Sequence, residues 1–449
     1  MASGRLGPTS FSLLLGSLIG LTGMGSASVA VALPDLVQDF NVPPDRGAWV
    51  IGAYAITMAV GTGLYGRAAD NAGVRTPLAI GVALLSLGAL LAAASPNYVS
   101  MLAARVLQGC GAGAAPVLTF AVLRLRYDGV VRSAALGNLA AAAVAGMALG
   151  PIAGGLLTES FGWRAAVAVP ALALAVLALL WRSLPTGGSG ARLDYVGALM
   201  VTGLSAGLML LVQSPALGPN ALGIGLVLVV VLVPLLSRRV RLRPSGFLPR
   251  SVITQPVVIK SAVGAAAIPA AWFGLLVGIP AVLAEDGWSA VGIGMALLPG
   301  AVVGAFMSRK VGRVLGAVGA AGSLSITAVA SVLAALIAAV GAIGYPLLMM
   351  IAMALVYGAF ALGQPAMSAA ISEVVPAGLS GIALGIATLI FFLGGGTGAA
   401  VAGLGSVVGW PVALTLLAGL TSVFALGIMS NQPVSKAQRT DRHRRRFDH

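Results

Sequence analysis

From Phe11 to about Ser430 the sequence is a succession of apolar runs near twenty residues long, joined by short polar segments. Such a run matches the roughly 30 Å hydrocarbon core of a bilayer at 1.5 Å per helical residue. An α-helix also satisfies its own backbone groups where no water can. The runs fall at about 11–33, 48–66, 77–95, 99–122, 135–157, 164–182, 195–213, 220–237, 256–283, 291–308, 316–340, 344–366, 379–403 and 409–430. They number fourteen, with the tenth short and the joint between the seventh and eighth marked by Pro215 and Pro219. Charged residues are 8% of the chain, against roughly 25% in a soluble domain. The expected class is therefore an all-α, polytopic membrane protein.

A net charge of +14 would suggest a nucleic-acid partner in a soluble chain. Here its distribution gives it another meaning. With the N-terminus inside, the cytoplasmic joints carry Arg67 and Arg75, Arg124 to Arg132, Arg182 and Arg192, Arg238 to Arg250, and Arg309, Lys310 and Arg313. The tail adds Lys436, Arg439, Arg442 and Arg444 to Arg446. The outer joints hold Arg46 and Arg164 but six acids, Asp35, Asp39, Asp45, Glu159, Glu285 and Asp286. This is the positive-inside asymmetry, and an odd number of spans would scramble it. It predicts cytoplasmic termini, a bilayer partner and no nucleic acid.

Enzyme and metal classes find little support. Cys110 is the single cysteine, and both histidines, His443 and His449, lie in the tail. No cleavable leader pattern is expected at the start, because the first run is too long and no soluble domain follows it. Gly203-Leu-Ser205-Ala-Gly207 fits a nucleophile elbow but lies mid-span without a histidine in reach. Gly61-Thr-Gly63-Leu-Tyr-Gly66 fits a dinucleotide fingerprint but lacks the strand before it. No phosphate loop is present, and no cofactor is expected.

Two joints repeat a pattern. Gly66-Arg67-Ala-Ala-Asp70-Asn-Ala-Gly73-Val-Arg75 follows span two, and Gly304 through Ser308 and Gly312 to Arg313, including Arg309, follows span ten. Their equivalent places imply two six-span halves framing a central path. The expected organisation is a bundle at 1–183, a linker with two inserted spans at 184–250, a second bundle at 251–430 and a basic tail at 431–449. In span five, Gly146-Met-Ala-Leu-Gly150-Pro151-Ile-Ala-Gly154-Gly155 would break a soluble helix. In a membrane it permits close backbone approach and a bend.

These features resemble the major facilitator superfamily, in its fourteen-span drug/proton antiporter branch. The Gly66–Arg75 joint resembles the family's cytoplasmic motif A. Arg105-Val-Leu-Gln108-Gly109-Cys-Gly111 resembles motif B, and Gly137 with Gly146–Gly155 resembles the antiporter motif C. Ala32-Leu33-Pro34 with Trp49 and Tyr54, Gly162-Trp163-Arg164, and Leu193-Asp194-Tyr195-Val196-Gly197 resemble markers of the branch. The resemblance implies export by alternating access, coupled to the proton gradient. It assigns gating to Gly66, Arg67, Asp70, Gly73, Arg75, Arg309 and Arg313. Asp70 would accept from Arg75 or Arg132; the alternative is a plain polar turn.

Arg105 lies roughly 10 Å below the outer surface, counting along the helix. It needs a partner, with Gln108 one turn further along the same path. The alternative is an arginine that reaches outward to Asp35 or Glu159. Related exporters carry an acid nine residues before the proline of Ala-Leu-Pro, where this chain has Gly25. All twelve acids fall in joints, at helix ends or in the tail, so Asp35, then Glu159 and Glu373, are the remaining proton candidates. A path with Arg105 and no acid favours neutral or anionic lipophilic substrates over organic cations. Trp272, Tyr357 and Gln364 are candidates for its apolar wall, among Phe273, Met349, Met350, Met353, Phe360, Phe391 and Phe392, although such residues more often face lipid or the core. The expected activity is efflux of a compound such as an antibiotic by a monomer in the inner, or plasma, membrane. The alternatives are a lipid or glycolipid exporter of the same fold and a non-transporting sensor or scaffold.

Overall fold

A computed structural model describes residues 6–186, 194–212, 214, 219–244, 246, 248, 250–375 and 377–429. The joint at Gly187–Gly190, the Leu193 marker, Pro215 and the tail lie outside the described residues. So do the side chains of Arg67 and Asp70, on which part of the gating assignment rests. Among the described residues every regular element is helical, and twelve helices are long and apolar enough to cross a membrane.

The first half comprises α1 (Pro8–Asp39), α2 (Pro44–Ala72), α3 (Arg75–Ala93), α4 (Tyr98–Ala112), α5 (Ala114–Arg126), α6 (Gly129–Phe161), α7 (Trp163–Ala168) and α8 (Ala173–Leu180). α4 and α5 form one span, Tyr98–Leu123. They part where Pro116 has no N–H to give the Ala112 carbonyl. Then come α9 (Tyr195–Val212) and α10 (Pro219–Leu242), which pack on each other. Asp194 joins them, accepting from the Arg239 guanidinium of α10 and, at 3.1 Å, from the Gly197 N–H at the start of α9. α9 touches both α2 and a late helix of the second half, Ala377–Gly403, whereas most of α10 faces outward.

The second half comprises α11 (Pro256–Ala265), α12 (Ala267–Glu285), α13 (Ala290–Gly341), α14 (Pro346–Ser372), α15 (Ala377–Gly403) and α16 (Trp410–Met429). α11 ends at Ala265 because Pro269 cannot donate to that carbonyl. Each half packs within itself, α1 on α6 and α2 on α4, then α13 on α14 and α12 on α15. The halves meet along α2 with α15 and α6 with α13.

One expected boundary is corrected. Runs ten and eleven, expected to part at 308–316, belong to α13, whose 52 residues break at Gly319 with φ 73° and ψ 174°. The basic joint is helical because Arg309 and Arg313 stay exposed beyond the apolar part, as snorkelling side chains can. The repeat partner of Gly73, at φ 74° and ψ 177°, is thus Gly319 and not Gly312. A second repeat appears at the opposite end. Gly162 and Gly409 both take positive φ before a tryptophan. The Trp163 indole donates to Asp39 at 3.1 Å, and that of Trp410 donates to Glu285 at 2.8 Å. In each half this ties the end of the first span to the start of the sixth.

Backbone angles like those of Gly73 and Gly319 are essentially closed to other residues and cost about 1–3 kcal/mol when forced. Gly73→Ala and Gly319→Ala should each lower the melting temperature of the purified protein. Gly312→Ala, with open space where its Cβ would go, should leave it unchanged or raise it. Equal melting for all three would contradict the corrected register.

Candidate functional site

Two faces of α6 define how the halves meet. Gly146, Gly150 and Gly154 recur every four residues and so share one side of the helix. That side lies against α1. A Cβ on Gly146 would sit 2.6 Å from Gly20 Cα, one on Gly150 2.8 Å from Ala27 Cβ, and one on Gly154 2.7 Å from Ser28 Cα. Pro151 and Gly155, one position around, face α13 of the other half. A Cβ on Gly155 would sit 2.6 Å from the Ala290 carbonyl oxygen, and one on Gly294 would sit 2.5 Å from that of Pro151. The glycine-rich stretch is therefore divided between two contacts. Gly146, Gly150 and Gly154 hold the first half together, and Pro151 and Gly155 form the seam.

Glu159 continues the seam face one turn beyond Gly155. Its carboxylate accepts from the Val291 N–H of the opposite half at 2.7 Å. It thereby caps an N-terminus that Ser289 also caps, accepting from Gly292 N–H at 3.1 Å. Such a cap joins a hydrogen bond to the positive end of the helix dipole. Asp35 is exposed nearby, close enough to feel the Glu159 charge.

Arg105 turns inward and not to that rim, which removes the outward-reaching alternative. Its side chain is fully buried. Nε donates to the Val50 carbonyl at 2.8 Å, and Nη1 donates to the Gly25 carbonyl at 2.8 Å and to Gln108 Oε1 at 2.5 Å. The guanidinium lies over the Tyr54 ring, 4.3 Å from its centroid, a cation–π arrangement. The Tyr54 hydroxyl in turn donates to the Thr22 carbonyl at 2.7 Å. Arg105 Nη2 and Gln108 Nε2 are buried and have no hydrogen-bond partner among the described residues. No carboxylate is among the partners of Arg105 in the described residues.

The wall candidates divide. Trp272 and Tyr357 pack with ring centroids 4.0 Å apart, and Phe360 lies 4.9 Å from Trp272. Phe391 and Phe392 extend the cluster. The Tyr357 hydroxyl is buried and has no hydrogen-bond partner among the described residues. Gln364 is half-buried two turns along α14, where its backbone carbonyl accepts from Ser368.

At the opposite end of the helices the expected ionic cluster is not assembled among the described side chains. Arg75 stacks its guanidinium on Trp181, 4.0 Å from the ring centroid. Arg132, Arg309 and Arg313 are exposed. Gly66 has room for a Cβ, at 3.6 Å from Val117. Sequence reasoning missed Trp181 as the Arg75 partner. It also missed the carbonyls of Gly25 and Val50, which leave no residue-type signal.

The divided faces separate two kinds of damage. Gly150→Leu should overpack the first half and cost about 1–3 kcal/mol of stability, read as a lower melting temperature. Gly155→Leu should keep that temperature but pry the seam. In a Cys110→Ala background, Ala290→Cys should then react with an impermeant maleimide about fivefold faster or more. The same response from both variants would contradict the two-face geometry.

A profile of the Major Facilitator Superfamily matches residues 15–345. The multidrug resistance protein Stp of Mycobacterium tuberculosis is 32% identical over 195 residues, 42% of this chain and 36% of that protein. The puromycin resistance protein pur8 of Streptomyces alboniger is 36% identical over 233 residues, 49% of this chain and 46% of that one. The matched stretch spans about half or less of the length of these curated relatives. The fold is shared with the xylose transporter XylE from E. coli in a partially occluded inward-open conformation, with a TM-score of 0.65 and 15% identity. The match covers 95% of this chain and 98% of that one. With its profile match extending over most of its length and this helical architecture, the chain belongs to the major facilitator superfamily.

Proposed function

We propose that this multi-pass transporter exports a small lipophilic compound across the inner, or plasma, membrane. Export proceeds by alternating access between its two halves. The observation that carries the proposal is the seam at Pro151, Gly155 and Glu159. Small residues and one capping carboxylate make a contact that can part without breaking either half. Relatives named for multidrug and puromycin resistance support an efflux role. In this reading the termini are cytoplasmic and the seam closes the outer side. Counting α13 as two spans about Gly319, with α9 and α10 as the inserted pair, makes fourteen spans, a number that supports placing the chain in the drug/proton branch.

Proton coupling falls to the rim, because no described carboxylate touches Arg105. A protonated Glu159 would accept more weakly from Val291, since charge-assisted hydrogen bonds are the stronger kind. An external proton then loosens the outer seam, and its return to the outer solution restores it. The wall around Trp272 and Tyr357 suits a compound with flat apolar parts. The absence of an acid beside Arg105 favours neutral or anionic compounds over cations.

Flux in proteoliposomes tests this. A lipophilic anion should be carried, and an acid-outside gradient should raise its rate about tenfold or more. Glu159→Gln should flatten the pH response, and Asp35→Asn should reduce it. Strong flux of a quaternary ammonium dye, insensitive to Arg105→Ala, would overturn the substrate preference. Flux indifferent to pH and to both rim variants would remove the proton. Transfer of labelled acyl lipid with no flux of any soluble compound would make the protein a lipid exporter.

A further inference from the structure

We infer that Arg105 and Gln108 form an anion-recognition site that takes the paired oxygens of a lipophilic monoanion, a carboxylate or an acidic enol. A guanidinium has five N–H bonds. In Arg105 three are committed, one from Nε to Val50 and two from Nη1 to Gly25 and Gln108. Among the described residues the two on Nη2 have no acceptor, and neither do the two on Gln108 Nε2. Four N–H bonds thus remain open in a place with no solvent exposure.

The orientation of the Gln108 amide follows from the same contacts. Its Oε1 must face Nη1, because the flipped amide would set donor against donor. Nε2 is therefore the free arm, on the same amide that anchors the guanidinium. Three hydrogen bonds and the Tyr54 ring fix that guanidinium, so Nη2 is preorganised and not a wandering end.

Charge narrows the ligand further. Buried polar groups that are part of a finished structure are hydrogen-bonded, and buried charges are paired. Arg105 has carbonyl dipoles, an amide and a ring, but no carboxylate among the described residues. Water could fill the donors but would leave the positive charge uncompensated. A cation would add to it. One anionic group meets both needs, with its two oxygens accepting from Nη2 and Nε2. The single positive charge matches a monoanion, and the apolar span that carries the site matches a lipophilic body. The inference extends the exporter reading by placing the countercharge of the site on the cargo.

Binding to the full chain in nanodiscs tests the site apart from transport. The probes are a naphthalene carboxylate, its methyl ester and chloride. Wild type should bind the carboxylate about tenfold or more tighter than the ester, and Arg105→Lys should lose most of that ratio. Gly25→Asp sets a carboxylate beside the guanidinium and should abolish the ratio relative to the isosteric Gly25→Asn. A Cβ there meets the Tyr54 hydroxyl at 3.1 Å in both variants, so charge alone separates them. Equal binding of carboxylate and ester would overturn the inference, as would the same ratio in Gly25→Asp and Gly25→Asn. Displacement of the carboxylate by chloride at equal concentration would reduce the site to a bare anion hole and overturn the lipophilic part. Should the Arg105 variant not fold, the wild-type ratio and the Gly25 pair still decide. Selective binding without flux would leave the site standing and remove the exporter. Flux of neutral compounds with no binding preference would do the reverse.

Discussion

Helices in a bilayer gain little by hiding apolar surface from one another, since the lipid is as apolar as leucine. What holds them is close fit, and α6 carries such a fit on two of its sides. Its glycines bring the backbone against α1 at Gly20 and Ser28 on one side and against α13 at Ala290 on the other. A residue with any side chain at these positions would force one pair apart. The two faces are unequal in consequence. One is part of the framework of a half, and the other is a joint between halves that ends in the Glu159 cap.

Arg105 sets the second constraint. Membrane interiors tolerate a guanidinium when it is neutralised or solvated by polar groups. Here the first half supplies backbone carbonyls, an amide and a ring, stopping short of a negative charge. The site is rigid but electrostatically unfinished. That combination distinguishes a recognition site from a structural ion pair such as Asp194 with Arg239, where both charges are present.

Much of the architecture was legible because membrane spans announce themselves by length and apolarity. The paired joints were legible too, but their register was not. With 62 glycines in the chain, nothing marked Gly319 over Gly312 as the one that leaves the helical region. Residue type singled out Arg105, Gln108, Trp272 and Tyr357, and the structure brings Arg105 to Gln108 and Trp272 to Tyr357. The fit of α6 required coordinates, because Gly150 and Gly155 look alike in sequence and differ by their angle around the helix. The backbone acceptors of Arg105 were invisible for a simpler reason, that every residue has a carbonyl.

The two tryptophan corners carry a mechanical consequence. Trp163 with Asp39 and Trp410 with Glu285 close each half into a ring at one end. A closed ring resists shear among its own members, so displacement is passed whole to its boundary. The corners behave as rivets, and the glycine seam beside them behaves as the edge along which two stiff plates part.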